Sequence, residues 1–284
     1  MPIVVVLGGL GLLSLLVPRP PPHARVTVAA TVPPQAWLVR RLGRDRVDVE
    51  VLLPPGASPH TYDPTPQQVA RLASAQLVVE VGHPSFLFER RLLDALTSRQ
   101  PPPLVVDMMS AVAGANGETD PHVWLSPAVM RATARQVSAA LVRLDPGAAP
   151  LFRQQLAGVL ADIERLDADL HRTLDGLPRR RFLVYHPAWD YLARDYGLEQ
   201  VAIEAEGKEP SPRQLVALVE RARRDGTGIV FVQSGYYDRP ARAVAGEIGA
   251  RVVAVDPMAE DWPANLRRVA ALLRGALGGG ASGG

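Results

Sequence analysis

Short apolar runs and amphipathic stretches alternate along most of the chain. β-Branched runs fall at residues 25–31, 47–53, 76–81, 103–107, 181–185, 199–203, 228–233 and 251–255. Between most of them, apolar residues recur every three or four positions, at 34–43, 66–74, 85–98, 127–143, 212–224, 239–249 and 262–274. A strand that is apolar at nearly every residue must be covered on both faces, and strand-then-helix order supplies that cover with crossover helices. The pattern predicts an α/β fold of two lobes, each a mainly parallel four-stranded sheet flanked by helices, with four strands before residue 110 and four after residue 180.

The join between the lobes has a different pattern. From 148 to 175, Leu151, Phe152, Leu156, Val159, Leu160, Ile163, Leu166 and Leu170 recur at helical spacing, charged residues fill the positions between, and Gly176 and Pro178 close the run. One helix of that length reaches about 40 Å, enough to run along both lobes as a rod. The expected division is an N-terminal lobe at 25–146, a linking helix at 147–177 and a C-terminal lobe at 178–275. Residues 3–17 are an uncharged apolar run, shorter than the roughly 20 residues of a spanning helix, and a Pro-rich break follows it. Such a segment predicts a signal peptide over 1–24. The glycine-rich stretch 276–284 reads as a flexible tail.

Composition narrows the chemistry. Of the 284 residues, 31 are Lys or Arg and 29 are Asp or Glu, a balance without the clustered basic charge of a nucleic-acid binder. Cysteine is absent, which removes disulfides, thiolate nucleophiles, iron-sulfur clusters and sulfur-ligated zinc together. Lys208 is the only lysine. Any bound metal must therefore be held by His, Asp or Glu.

Four such residues stand in loops or at the ends of elements. His60 lies in the loop after the run 47–53, His122 just ahead of the helix at 127–143, His186 directly after 181–185 and Asp256 directly after 251–255. Ligands of open parallel sheets bind outside the carboxyl ends of the strands. The intervals of 62, 64 and 70 residues match no local finger or HExxH pattern, so a shared site exists only where the two lobes face each other. Three neutral imidazoles and one carboxylate suit tetrahedral Zn²⁺, since hard cations prefer all-oxygen shells. A mononuclear zinc hydrolase is the competing enzyme reading. It needs an open coordination position and a general base, which a closed four-ligand shell lacks. Gln233-Ser234-Gly235 hints at a nucleophile turn but lacks the G-x-S-x-G frame. An adhesin that uses metal only structurally is a further alternative.

The remaining features have ordinary readings. His23, His83 and His171 are assigned no ligand role. Arg179-Arg180-Arg181 and Arg221, Arg223 and Arg224 read as solvated helix ends, with permease contact as the alternative. Asp63 and Thr65 read as caps ahead of Pro66, and Trp124 and Trp189 as a dry wall beside the ligands.

Four strings carry a resemblance: Val51-Leu-Leu-Pro-Pro-Gly-Ala-Ser-Pro-His-Thr-Tyr-Asp-Pro-Thr-Pro66, Asp120-Pro-His-Val-Trp-Leu-Ser-Pro127, Tyr185-His-Pro-Ala-Trp with Tyr196-Gly-Leu, and Val255-Asp-Pro-Met258. In order and spacing, over roughly 25–275, the chain resembles the periplasmic solute-binding proteins of zinc and manganese ABC transporters. The resemblance implies two α/β lobes bridged by one long helix, a monomer that captures a divalent ion and delivers it to a membrane permease, and no enzymatic activity. It carries the ligand positions over to His60, His122, His186 and Asp256, with Glu204 or Glu206 as the alternative fourth ligand. Manganese-type members place Glu at the third position, so His186 favours Zn²⁺ over Mn²⁺. Many zinc-type members insert a His- and Asp-rich loop before the second ligand, whereas residues 111–119 here contain no His.

Overall fold

The computed structural model describes residues 25–112, 120–204, 210–233 and 239–278. The expected signal segment 1–24, the tail beyond 278, most of the His-free stretch 111–119, and Glu206, Lys208, Ser234 and Gly235 lie outside the described residues.

Two parallel sheets form as the apolar runs predict. The first contains β1 (Val26–Ala30), β2 (Val47–Val51), β3 (Leu77–Glu80) and β4 (Leu104–Asp107) in the order β2-β1-β3-β4. The second contains β5 (Arg181–Val184), β6 (Glu199–Ala202), β7 (Ile229–Gln233) and β8 (Arg251–Val255) in the order β6-β5-β7-β8. Every pairing within the two sheets is parallel. The same strand order in both halves places each sheet's switch point between its first and third strands, which is where such sheets open a ligand crevice.

Successive side chains point to opposite sides, so the central strands β1, β3, β5 and β7 are buried on two faces. In β7, Ile229 and Phe231 enter the main core, whereas Val230 and Val232 enter a smaller one. In β5, Phe182 and Val184 face the main core, and Leu183 and the following Tyr185 the smaller one. The smaller core is closed by α7 (Pro212–Arg224) through Val219 and Ala222, and by α8 (Arg239–Ile248) through Ala241, Val244 and Ala245. The main core is continuous from Val26 in β1 to Leu277 at the end of α9 (Trp262–Leu277), so the two halves share packing.

The rod is α5 (Ala149–Leu174), 26 residues or about 39 Å. Pro150 sits in its first turn, where no intrahelical N–H is needed. Its stripe of Phe152, Val159, Ile163, Leu166, Leu170 and Leu174 is buried against α1 (Pro33–Gly43) and α4 (Pro127–Leu144) of the first half and α9 of the second. Ion pairs from the same helix reach both halves, Asp162 to Arg41 on α1 and Asp169 to Arg267 on α9. No described helix is long and apolar enough to cross a membrane.

Local departures from the sequence pattern have identifiable causes. The helix expected at 66–74 ends as α2 at Arg71 and tightens into a 3₁₀ turn over Leu72–Ser74. Thr65 caps α2 as expected, accepting from the Gln68 amide, but Asp63 pairs instead with Arg91 on α3 (Leu87–Thr97). The arginine run at 179–181 is not a solvated helix end. Arg180 donates to the carbonyls of Leu174, Tyr196 and Gly197, and Arg179 to those of Gly226 and Ala276. Arg181 opens β5 and pairs with Glu199 at the start of β6. The Arg179 and Arg180 guanidiniums thus satisfy main-chain carbonyls at turns and helix ends around the start of the second sheet. A short helix, α6 (Asp190–Asp195), also forms where the sequence pattern showed none.

Candidate metal centre

Each of the three histidines is carried by a chain segment leaving a sheet or entering a helix. The β2–β1 ladder continues past β2 through Leu52 N–H to Ala30 O (2.9 Å) and Leu53 N–H to Thr31 O (3.1 Å). The chain then turns at Gly56, whose φ of +78° only glycine adopts without strain. A tight turn closed by Tyr62 N–H to Ser58 O (2.9 Å) then presents His60. His122 precedes the 3₁₀ turn Val123–Leu125 and the Ser126 cap of α4. His186 follows β5, which is parallel to β6 with Arg181 opposite Glu199 and Val184 opposite Ala202. Continued two residues beyond both strands, that register sets His186 beside Glu204, and the Glu204 N–H to Tyr185 O bond (3.1 Å) holds it there.

The strand ends beneath these loops are pinned by buried polar groups. Gln35 Oε1 accepts from the amides of Thr31 (2.8 Å) and Val32 (3.1 Å). Glu89 accepts from Thr31 Oγ1 (2.5 Å) and from the amides of Val81 (2.8 Å) and Gly82 (2.9 Å). Burial pushes the Glu89 carboxyl up to about 7, against the pull of these three donors. Gly82 has φ +81°, and a Cβ there would meet Asp107 Oδ1 at 2.0 Å, so the turn after β3 requires glycine.

The structure brings His60, His122 and His186 together. One ring nitrogen from each lies within 4.8 Å of the others, and among the described residues this is the one such group of three or more His, Asp or Glu. The ring centroids are 5.4 Å apart for His60 and His122, and 5.1 Å for His60 with His186 and for His122 with His186. His122 Nδ1 is 2.6 Å from Asp120 Oδ1, and His186 Nδ1 is 2.6 Å from Glu204 Oε1. An imidazole whose Nδ1–H donates to a carboxylate keeps its lone pair on Nε2, the arrangement that orients metal-binding histidines and raises their basicity. The two Nε2 atoms face each other at 3.2 Å. Lone pairs at that distance repel unless a cation lies between them. Two nitrogens each about 2.05 Å from a tetrahedral Zn²⁺ stand about 3.3 Å apart.

The electrostatics agree. Desolvation, then the neighbouring imidazoles His122 and His186, push His60 down to about 3, although the residue is exposed at the surface. His122, 3% exposed, is also lowered by burial, although Asp120 pulls the other way. Both therefore present neutral rings to a ligand. The carboxylates of Asp120 and Glu204 balance the two charges of a divalent ion before any further acid is counted.

Asp256 directly follows β8 as expected but is not part of the cluster of three. Its Oδ1 accepts from the Met258 amide (2.8 Å), a local Asx turn, which leaves Oδ2 outside that bond. Glu204 was expected at the cleft mouth or as a substitute fourth ligand, and instead holds His186 from behind. Asp120 was not singled out in the sequence, although an acid two residues before a buried His was the available signal. Trp124 lies 5.3 Å from His122, and Phe86 the same distance from His60, which gives the centre an apolar wall. Trp189 is buried in the main core, with its amide bonded to Gln200 Oε1. His83 pairs with Ser85, and half-exposed His171 packs on Tyr196, so neither joins the cluster.

The family model described as zinc-uptake complex component A, periplasmic, matches residues 28–275. A crystal structure of ZnuA superimposes with TM-score 0.82 at 36% identity, covering 89% of this chain and 99% of that one. The high-affinity zinc uptake system protein ZnuA of Bacillus subtilis is 25% identical over 246 residues, 80% of this chain and 76% of its own length. The zinc-binding lipoprotein AdcA of Streptococcus pneumoniae is also 25% identical, and there the match spans half of the relative. The laminin-binding protein of Streptococcus agalactiae, described as a bifunctional adhesin and metal transporter, shares the fold at TM-score 0.79 and 23% identity.

Proposed function

The chain belongs to the family of the periplasmic component A of the zinc-uptake complex, and from that membership and the geometry of the centre we propose that it binds Zn²⁺ through His60, His122 and His186, with Asp256 as the fourth ligand. It is an exported solute-binding protein of metal import rather than an enzyme. The observation that carries the choice of ligands is the pair of carboxylate-backed imidazoles whose Nε2 atoms face each other at 3.2 Å. Nitrogen at all three histidine positions supports Zn²⁺ over Mn²⁺, which prefers oxygen. Asp256 closes the tetrahedron by turning Oδ2 toward the imidazoles. The lobes 25–146 and 178–275, joined by the helix at 147–177, form the two jaws of the site, and the monomer passes its ion to a membrane permease in the periplasm after loss of residues 1–24. The adhesin reading is secondary, since the adhesin-like neighbour shares only the fold.

A zinc competition titration carried across pH tests the site. Three ordinary imidazoles, each with pKa near 6.5, would cost up to about a thousandfold in affinity per pH unit well below that value, because metal must displace one proton from each. Here His60, exposed but desolvated and crowded by the other two rings, is lowered to about 3 and His122 is lowered by burial, so fewer than three protons compete with the metal over that range. The expected loss over that unit is well short of a thousandfold, with zinc tighter than manganese throughout. A loss near a thousandfold, or manganese binding as tightly as zinc, would count against these ligands.

A further inference from the structure

Two tryptophans tie the His122 turn to the Asp256 turn. Trp124 is fully buried, and its Nε1 donates to Pro257 O at 2.8 Å. Trp262, 1% exposed at the start of α9, donates its Nε1 to Trp124 O at 2.8 Å. The Trp262 ring also packs on Trp37 of α1, 5.3 Å between centroids. Asn265, one turn further along α9, donates Nδ2 to Asp256 O at 2.6 Å. Trp124 stands two residues after His122, and Pro257 directly follows Asp256. The two indole hydrogen bonds therefore cross between the halves in opposite directions and meet on the turns that carry one histidine and the aspartate.

A buried indole N–H must find some partner, and any acceptor in the core would serve. Each N–H here reaches a main-chain carbonyl at a turn, where a shift of the carbonyl moves the neighbouring side chain with it. Buried N–H and C=O groups are costly to leave unpaired, so the register between the two turns is firmly set.

We propose that Trp124, Trp262 and Asn265 form a clasp whose role is to position Asp256 against the three imidazoles. They are positioning residues that touch no metal and act through the turn. The clasp holds the 256–258 segment close enough to His122 that a side-chain rotation of Asp256 delivers Oδ2, with no closing of one half on the other. The inference rests on the reading of Asp256 as fourth ligand.

The test is a double-mutant cycle in the full chain, read as zinc Kd by competition and as the visible spectrum of the Co²⁺-loaded protein. Trp262→Phe keeps an aromatic ring and removes the donor. It is expected to weaken zinc about tenfold, within the range for groups that orient ligands from behind, and to shift the cobalt bands in the direction that Asp256→Ala shifts them. In the Asp256→Ala background the same substitution should cost less than about twofold, because the group it positions is gone. An equal cost in both backgrounds, or no cost in the unsubstituted protein, overturns the clasp. If Asp256→Ala alone leaves Kd unchanged, the ligand reading has failed and the clasp falls with it, a result visible from that single variant. Should Trp262→Phe not fold, Asn265→Leu acts on the same turn from a different side chain, and the same cycle then decides.

Discussion

Saturating zinc is expected to raise the melting midpoint by about 8–16 °C, and His60→Ala or His186→Ala to remove most of that rise. Binding to the folded chain alone stabilises it by RT ln(1 + [L]/Kd), about 4 kcal/mol at a thousandfold excess over Kd. For a chain of this size each kcal/mol moves the midpoint by roughly 2–4 °C. His60 comes from the loop after β2 and His186 from the end of β5, so the two substitutions test the site from both halves. His171→Ala is the control: its ring packs on Tyr196, 4.8 Å between centroids, on the rod away from the cluster. It should keep the full zinc shift. A shift that survives loss of His60 and of His186 but not of His171 would place the metal elsewhere. Differential scanning calorimetry with and without zinc makes the comparison.

The second large effect concerns the rod. Phe152 is fully buried on α5, in the main core that runs through both halves. Phe152→Ala leaves a cavity in packing that cannot fully collapse, which costs about 3–5 kcal/mol and should lower the metal-free midpoint by about 6–20 °C. The zinc-induced rise should persist, because Phe152 is no part of the metal cluster. A loss below about 1 kcal/mol in denaturant unfolding would mean that the rod is not integral to the core.

These effects sit on features of unequal legibility. The eight strands were readable because most are short β-branched runs and the central ones are apolar on both faces, and the rod because one stripe repeats over 26 residues. The three histidines were readable from position alone, since each leaves a strand or precedes a helix on the side where parallel sheets bind ligands. What sequence could not show is orientation. Asp256 stands at the right strand end, but its Oδ1 is engaged by its own turn at Met258. Glu204 was seen as an acid near the cleft. Its task follows from the β5–β6 register, which sets it beside His186 and which no hydrophobic pattern specifies to a single residue. Asp120 acts within its own Asp-Pro-His turn, a contact too local for periodicity to register. The six-residue α6 was missed for a related reason, being too short to show a helical repeat. The arginines at 179 and 180 looked like solvent-facing charge because sequence does not reveal which carbonyls are left unpaired at the start of the second sheet.

The most direct measurement is a crystal of the zinc-loaded protein with anomalous differences collected on both sides of the zinc absorption edge. One peak is expected about 2.0–2.1 Å from a ring nitrogen of each of His60, His122 and His186, with Asp120 and Glu204 still bonded to the Nδ1 atoms and an Asp256 oxygen in the fourth position. A peak held by other side chains, with the three imidazoles left unliganded, would contradict a zinc centre shared between the two sheets.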